Sequence, residues 1–146
     1  MYPNELLTSG LILERHYDDR LWVFTLAGTK LSYEVVDAWE AALWRYKEAN
    51  TRTKQHFLVY DFSPADFLYA NSAFEHLLYN SASQSMIEGG RLAVVLGRMA
   101  GTLRPALESY IRLDLRHLQP KMKGKLFVSR DEAQHWILEG MGAASA

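Results

Sequence analysis

The chain has no cysteine, only four prolines and almost no net charge, and its longest uninterrupted apolar run is Leu92 to Leu96. Each shortage removes a class of function. Without thiols there can be no disulfide framework, no thiolate nucleophile, no thiolate zinc site and no cysteine-held iron–sulfur cluster. A reducing compartment fits this composition, and a cytoplasmic location is expected. No stretch approaches the ~20 apolar residues of a membrane helix, so no transmembrane segment is expected. The opening Met-Tyr-Pro-Asn-Glu lacks the basic flank and apolar core of a secretory signal.

Sixteen bases against 17 acids leave a formal charge of −1 over 146 residues, which argues against a general polyanion binder. No nucleic-acid reader motif is present either, and a nucleic-acid partner is not expected. The near-zero sum conceals an asymmetry. Residues 1–54 carry seven bases and eight acids, 55–90 none and four, 91–130 nine and two, and 131–146 none and three. The length suits one domain, and 49% hydrophobic residues are enough for a substantial core.

Two strand-like segments, about residues 9–16 and 20–27, flank Tyr17-Asp18-Asp19, whose aspartates favour a hairpin turn. After Gly28 the period lengthens. Leu31, Val35, Trp39, Ala42, Leu43 and Tyr46 recur at three- and four-residue steps, which predicts a helix over 33–49. Phe57 to Phe62 is apolar on both alternating faces, as a central strand of an α/β sheet is, and Ser63-Pro64 ends it.

Ser72 and Glu75 have capping-box spacing before a helix expected over 73–86, and Gly89-Gly90 precedes a second buried strand at Leu92 to Leu96. Thr102 can cap a third helix that Gln119-Pro120 closes. Gly124 to Val128 reads as a last strand, followed by a helix carrying Ala133, Trp136 and Ile137. The expected class is therefore α/β: a single-domain mixed sheet in the order β-β-α-β-α-β-α-β-α. Residues 1–8 are expected to form an N-terminal arm, 9–139 the domain, and 140–146 a flexible C-terminal tail with too little bulk to pack.

This order, with Arg91-Leu92-Ala93-Val94-Val95 and the run from Gly124-Lys125-Leu126-Phe127-Val128 through Ser129-Arg130-Asp131-Glu132-Ala133-Gln134-His135-Trp136-Ile137-Leu138, resembles the SpoIIAA-like branch of the STAS superfamily, the fold of anti-sigma-factor antagonists. In the phospho-regulated members a strand ends in Asp-x-Ser, and an Asp-Ser motif at the next helix start carries the phosphorylated serine. Asp61-Phe62-Ser63 is similar to the first element. Ala70-Asn71-Ser72-Ala73 stands where Asp-Ser-Ser-Gly belongs. The resemblance implies a non-enzymatic regulatory module with a protein partner, and a regulatory edge built from Asp61, Ser63, Asn71 and Ser72. A helix start at Ser72 would favour phosphate there, although the same serine serves equally as a plain cap.

Other residues support a second function, a carrier or sensor of a small amphipathic or anionic ligand such as a lipid. Arg98, Thr102 and Arg104 lie on or beside a strand-to-helix connection suited to an anion, though without the lysine and spacing of a phosphate loop. The tryptophans and doubly apolar strands permit an apolar cleft or a homodimer surface. Arg104, Glu108, Arg112 and Arg116 make a four-residue polar stripe that Lys121, Lys123 and Lys125 extend, and this is either a solvated face or a docking face. His16, His56, His76, His117 and His135 are dispersed, and no Gly-x-Ser-x-Gly elbow occurs. Asp66, Glu75 and His76 lack metal-ligand spacing. No catalytic residue, cofactor or metal is assigned.

Overall fold

The computed structural model describes residues 4–8, 10–27, 33–52, 55–64, 89–96, 105, 108, 109, 112, 116 and 122–145. They build a six-stranded mixed sheet of β1 (Glu5–Thr8), β2 (Leu11–His16), β3 (Leu21–Leu26), β4 (His56–Asp61), β5 (Gly90–Val95) and β6 (Lys123–Phe127), in that spatial order. The strands β1 to β3 are antiparallel to one another, and β3 to β6 are parallel. Helices α1 (Tyr33–Ala49) and α2 (Arg130–Ser145) complete the described elements.

The central strands β3, β4 and β5 are buried on both faces because they are apolar at both alternating sets of positions. One face joins Leu11, Leu13, Trp22, Phe24, Leu58, Tyr60, Leu92 and Val94 to the inward stripe of α1, Val35, Trp39, Ala42, Leu43 and Tyr46. The other joins Leu21, Val23, Phe57, Val59, Ala93 and Val95 to Ala133, Ile137 and Met141 of α2. Helix α1 has the bounds that its periodicity predicts. Trp44 falls off the inward stripe and is 40% exposed.

Two elements differ from the sequence reading. Residues 5–8, placed in an arm, form the edge strand β1, with a bulge between Leu6 and Thr8 that interrupts the alternation by which a strand is recognised. Helix α2 continues to Ser145, through the segment read as a tail, with Gly140 and Met141 buried. The absence of a side chain at Gly140 is what admits its neighbour: a Cβ there would lie 2.5 Å from Cδ and Nε of Arg91. Arg91 in turn donates to the Trp136 carbonyl at 2.7 Å and sits over the Trp136 ring at 4.8 Å, tying the start of β5 to the middle of α2.

The helix expected over 73–86 lies outside the described residues. Of the third, Pro105, Glu108, Ser109, Arg112 and Arg116 are helical, and both arginines are exposed, as a polar stripe requires. Among the described residues no helix is long and apolar enough to cross a membrane.

Candidate functional site at the carboxyl edge of the sheet

The parallel strands define two edges of very different make-up. At the amino edge, where β3, β4 and β5 begin, polar groups are tied together across three elements. Tyr17, Asp18 and Asp19 all take positive φ, at 54°, 53° and 66°. L-residues avoid this region at a cost of about 1–2 kcal/mol each, somewhat less for aspartate. The turn is held by its surroundings. The Asp19 carboxylate accepts from Arg15 Nε and Nη2 at 2.6 and 2.7 Å and from Trp22 Nε1 at 2.9 Å. Asn50, just past the end of α1, donates to the Asp19 carbonyl at 2.9 Å.

Tyr46 carries this network into the sheet. Its hydroxyl donates to the Arg20 carbonyl at 2.8 Å and accepts from the Phe57 N–H at 2.8 Å. Burial pushes the Tyr46 phenol far above its ordinary value, since a phenolate there would be desolvated; the Phe57 amide only partly opposes the shift. The sequence marks Tyr46 as one member of an apolar stripe. Its polar role depends on partners 26 and 11 residues away, which no local pattern contains.

The carboxyl edge is where open α/β sheets place functional groups, because loops leaving the strand ends there can converge. Asp61 closes β4 and is 4% exposed. Its Oδ1 accepts from the Ser63 N–H at 2.9 Å and the Ser63 hydroxyl at 2.6 Å, a side-chain turn that redirects the chain into Pro64. The β4–β5 ladder runs one residue further, through Phe62 N–H to the Val95 carbonyl at 2.8 Å, so the corner stands on a fixed support. Asp61 pairs in register with Thr25 on one side and Val95 on the other. The Thr25 hydroxyl oxygen is buried without a hydrogen bond among the described residues, a polar atom that no sequence pattern singles out.

Of the regulatory edge expected from the sequence, Asp61 and Ser63 are therefore brought together, while Asn71 and Ser72 lie outside the described residues. So do all three anion candidates, Arg98, Thr102 and Arg104. On the α1 face of the same edge is an aromatic cluster. The Trp39 ring stacks on Phe24 at 5.2 Å and meets Tyr60 edge-on at 5.1 Å and Phe62 at 5.7 Å. Trp39 is fully buried, yet its Nε1 has no hydrogen-bond partner among the described residues. An unpaired buried N–H costs about 1–3 kcal/mol, and a ligand or water acceptor would recover it.

Among the described residues Asp61 accepts two hydrogen bonds, both from Ser63, and they commit one carboxylate oxygen to shaping the corner. Among the described residues no group of three or more histidine, aspartate or glutamate side chains is placed to hold a metal ion. Comparison with protein-family models, curated proteins and solved structures returns no match.

Proposed function

We propose that the chain is a non-enzymatic regulatory module of the SpoIIAA-like STAS type, which binds a protein partner through the carboxyl edge around Asp61 and Ser63. The observation that carries this reading is the buried Asp61 carboxylate locking Ser63 at the end of a central parallel strand. These two bonds set the direction in which the chain leaves β4. The reading also draws on the Asp-x-Ser resemblance and on the acid-only block at 55–90, which would favour a basic partner surface.

Native co-purification followed by intact and denaturing mass spectrometry tests the reading. It expects a stoichiometric protein partner whose affinity falls on Asp61→Ala. If phosphate acts at Ser72, Ser72→Asp and Ser72→Ala must differ in that affinity; equal binding by both and no phosphate at Ser72 removes the switch.

A second reading, a carrier of a small amphipathic ligand, is favoured by the unpartnered Trp39 Nε1 within the aromatic cluster. A lipid or metabolite retained at one-to-one stoichiometry, with no protein partner, would replace the first reading by the second.

A further inference from the structure

The two outer strands of the sheet are guarded differently. At one side, β1 is four residues long, is broken by a bulge, and has its one charged residue, Glu5, engaged by Arg45 of α1 at 3.2 Å. At the other side, β6 runs unbroken over five residues with exposed Lys123 and Lys125. In register these lysines pair with Arg91 and Ala93, and Phe127 pairs with Val95, so both lysines stand on the α2 face of the sheet.

The backbone of β6 can be followed group by group. The Phe127 carbonyl accepts from the Leu96 N–H at 3.0 Å. In a parallel ladder successive residues alternate in direction, so Phe127, Lys125 and Lys123 turn their backbone groups toward β5, and Gly124 and Leu126 turn theirs outward. Among the described residues no strand lies beyond β6. Two outward N–H and C=O pairs, spaced as a ladder requires, thus lie at Gly124, between lysines that project on one face, and at Leu126, just past them.

We infer that β6 is a docking edge for an extended acidic peptide segment, which adds as a seventh strand with acidic side chains at alternate positions opposite Lys123 and Lys125. Charge complementarity selects this occupant. A second copy of β6 paired antiparallel about Gly124 would set Lys123 against Lys125 twice over, and like charges directly opposite are destabilising. An acidic strand reverses that sign while filling the same backbone groups. The surrounding side chains are already placed: Lys125 lies over the Phe127 ring at 5.4 Å, Phe127 packs on Trp136 at 5.5 Å, and Trp136 is covered by Arg91. The edge is separate from the Asp61 corner, and either can fail without the other.

The test is fluorescence anisotropy of the full chain with a short labelled peptide alternating Glu and Val, against three controls: a Lys and Val peptide, a Glu and Pro peptide, and the Glu and Val peptide N-methylated at alternate amides. Saturable binding of the first alone is expected. Lys123→Glu combined with Lys125→Glu should weaken it by about tenfold or more, since two cross-strand charge pairs are inverted. Arg112→Glu with Arg116→Glu should change it by less than about twofold, because those arginines belong to another element. Gly124→Pro should abolish binding, its lost N–H being one that points away from β5. Should that variant misfold, the N-methylated peptide asks the same question of the unaltered protein. Equal binding of the Glu and Pro peptide, or equal loss from the two pairs of charge reversals, would reveal general polyanion adsorption and overturn the inference. No binding of the Glu and Val peptide would overturn it outright.

Discussion

The amino and carboxyl edges of the parallel sheet draw on similar residue types and use them in opposite ways. At the amino edge, Asn50 and Tyr46 reach partners 11 to 31 residues away, and together with the Asp19 carboxylate, bonded three and four residues along the flanking strands, the network joins the β2–β3 turn, the end of α1 and the start of β4. At the carboxyl edge, among the described residues, Asp61 bonds two residues onward, while Thr25 and Trp39 leave buried polar atoms unpaired. Long-range polar bonds hold a fold together. Short-range bonds shape a local corner, and unsatisfied groups beside it leave something for a partner or ligand to complete.

The comparison is most easily broken at Gly90, where β5 begins at the amino edge. Its φ is +106°, and an added Cβ would overlap the backbone of His56, its partner in β4. Backbone of a central strand cannot move aside, so Gly90→Ala should cost about 3 kcal/mol or more in chemical denaturation. By contrast the atoms nearest a Cβ at Gly140 belong to the Arg91 side chain, which can shift, so Gly140→Ala should cost appreciably less.

Tyr46→Phe comes next. It strands the Arg20 carbonyl and the Phe57 N–H, for an expected loss of about 1–3 kcal/mol near neutral pH. The pH dependence has a defined sign. Because burial raises the Tyr46 value in the folded state, its contribution is complete below the unfolded value of about 10. It then declines as pH rises through the window between unfolded and folded values, by up to ~1.4 kcal/mol per pH unit. Denaturant midpoints taken between pH 9 and 11 should therefore fall more steeply for the wild type than for Tyr46→Phe.

At the carboxyl edge, Asp61→Ala should cost about 1–2 kcal/mol, and Asp61→Asn less, since an amide oxygen can still accept from Ser63. Smallest of all is Trp39→Phe. It keeps an aromatic ring in the cluster and removes an N–H that has no partner, so the stacking lost and the desolvation relieved should offset to within about 1 kcal/mol. Thermal or denaturant unfolding of each variant gives the ranking. A ranking in which the carboxyl-edge variants exceed those at the amino edge would invert the comparison.

Much of this framework is legible in the sequence because it rests on periodicity. The helix over Tyr33–Ala49 follows from its apolar spacing, and β4 and β5 follow from being apolar on both faces. The turn at Asp61 was readable for a related reason, since aspartate two residues before a serine and ahead of a proline makes its bonds locally. What escapes is whatever depends on distant partners. Helix α2 looks finished at Gly140 until Arg91, 49 positions earlier, is seen to occupy the space above it. Strand β1 is short and bulged, with Leu6 68% exposed, so alternation never accumulates there. Tyr46 was placed correctly in the core, but its hydroxyl gained meaning only once Arg20 and Phe57 were beside it.

The central claim, that the amino edge locks the fold while the carboxyl edge can open, is tested most directly by native-state hydrogen exchange at two amides. The Phe57 N–H is bonded to the Tyr46 hydroxyl and the Ser63 N–H to the Asp61 carboxylate. The account predicts that Phe57 exchanges only with global unfolding, at the full free energy measured by denaturant, and that Ser63 exchanges through a local opening at a distinctly lower free energy. Equal protection at both amides, or a Ser63 amide slower than that of Phe57, would contradict it.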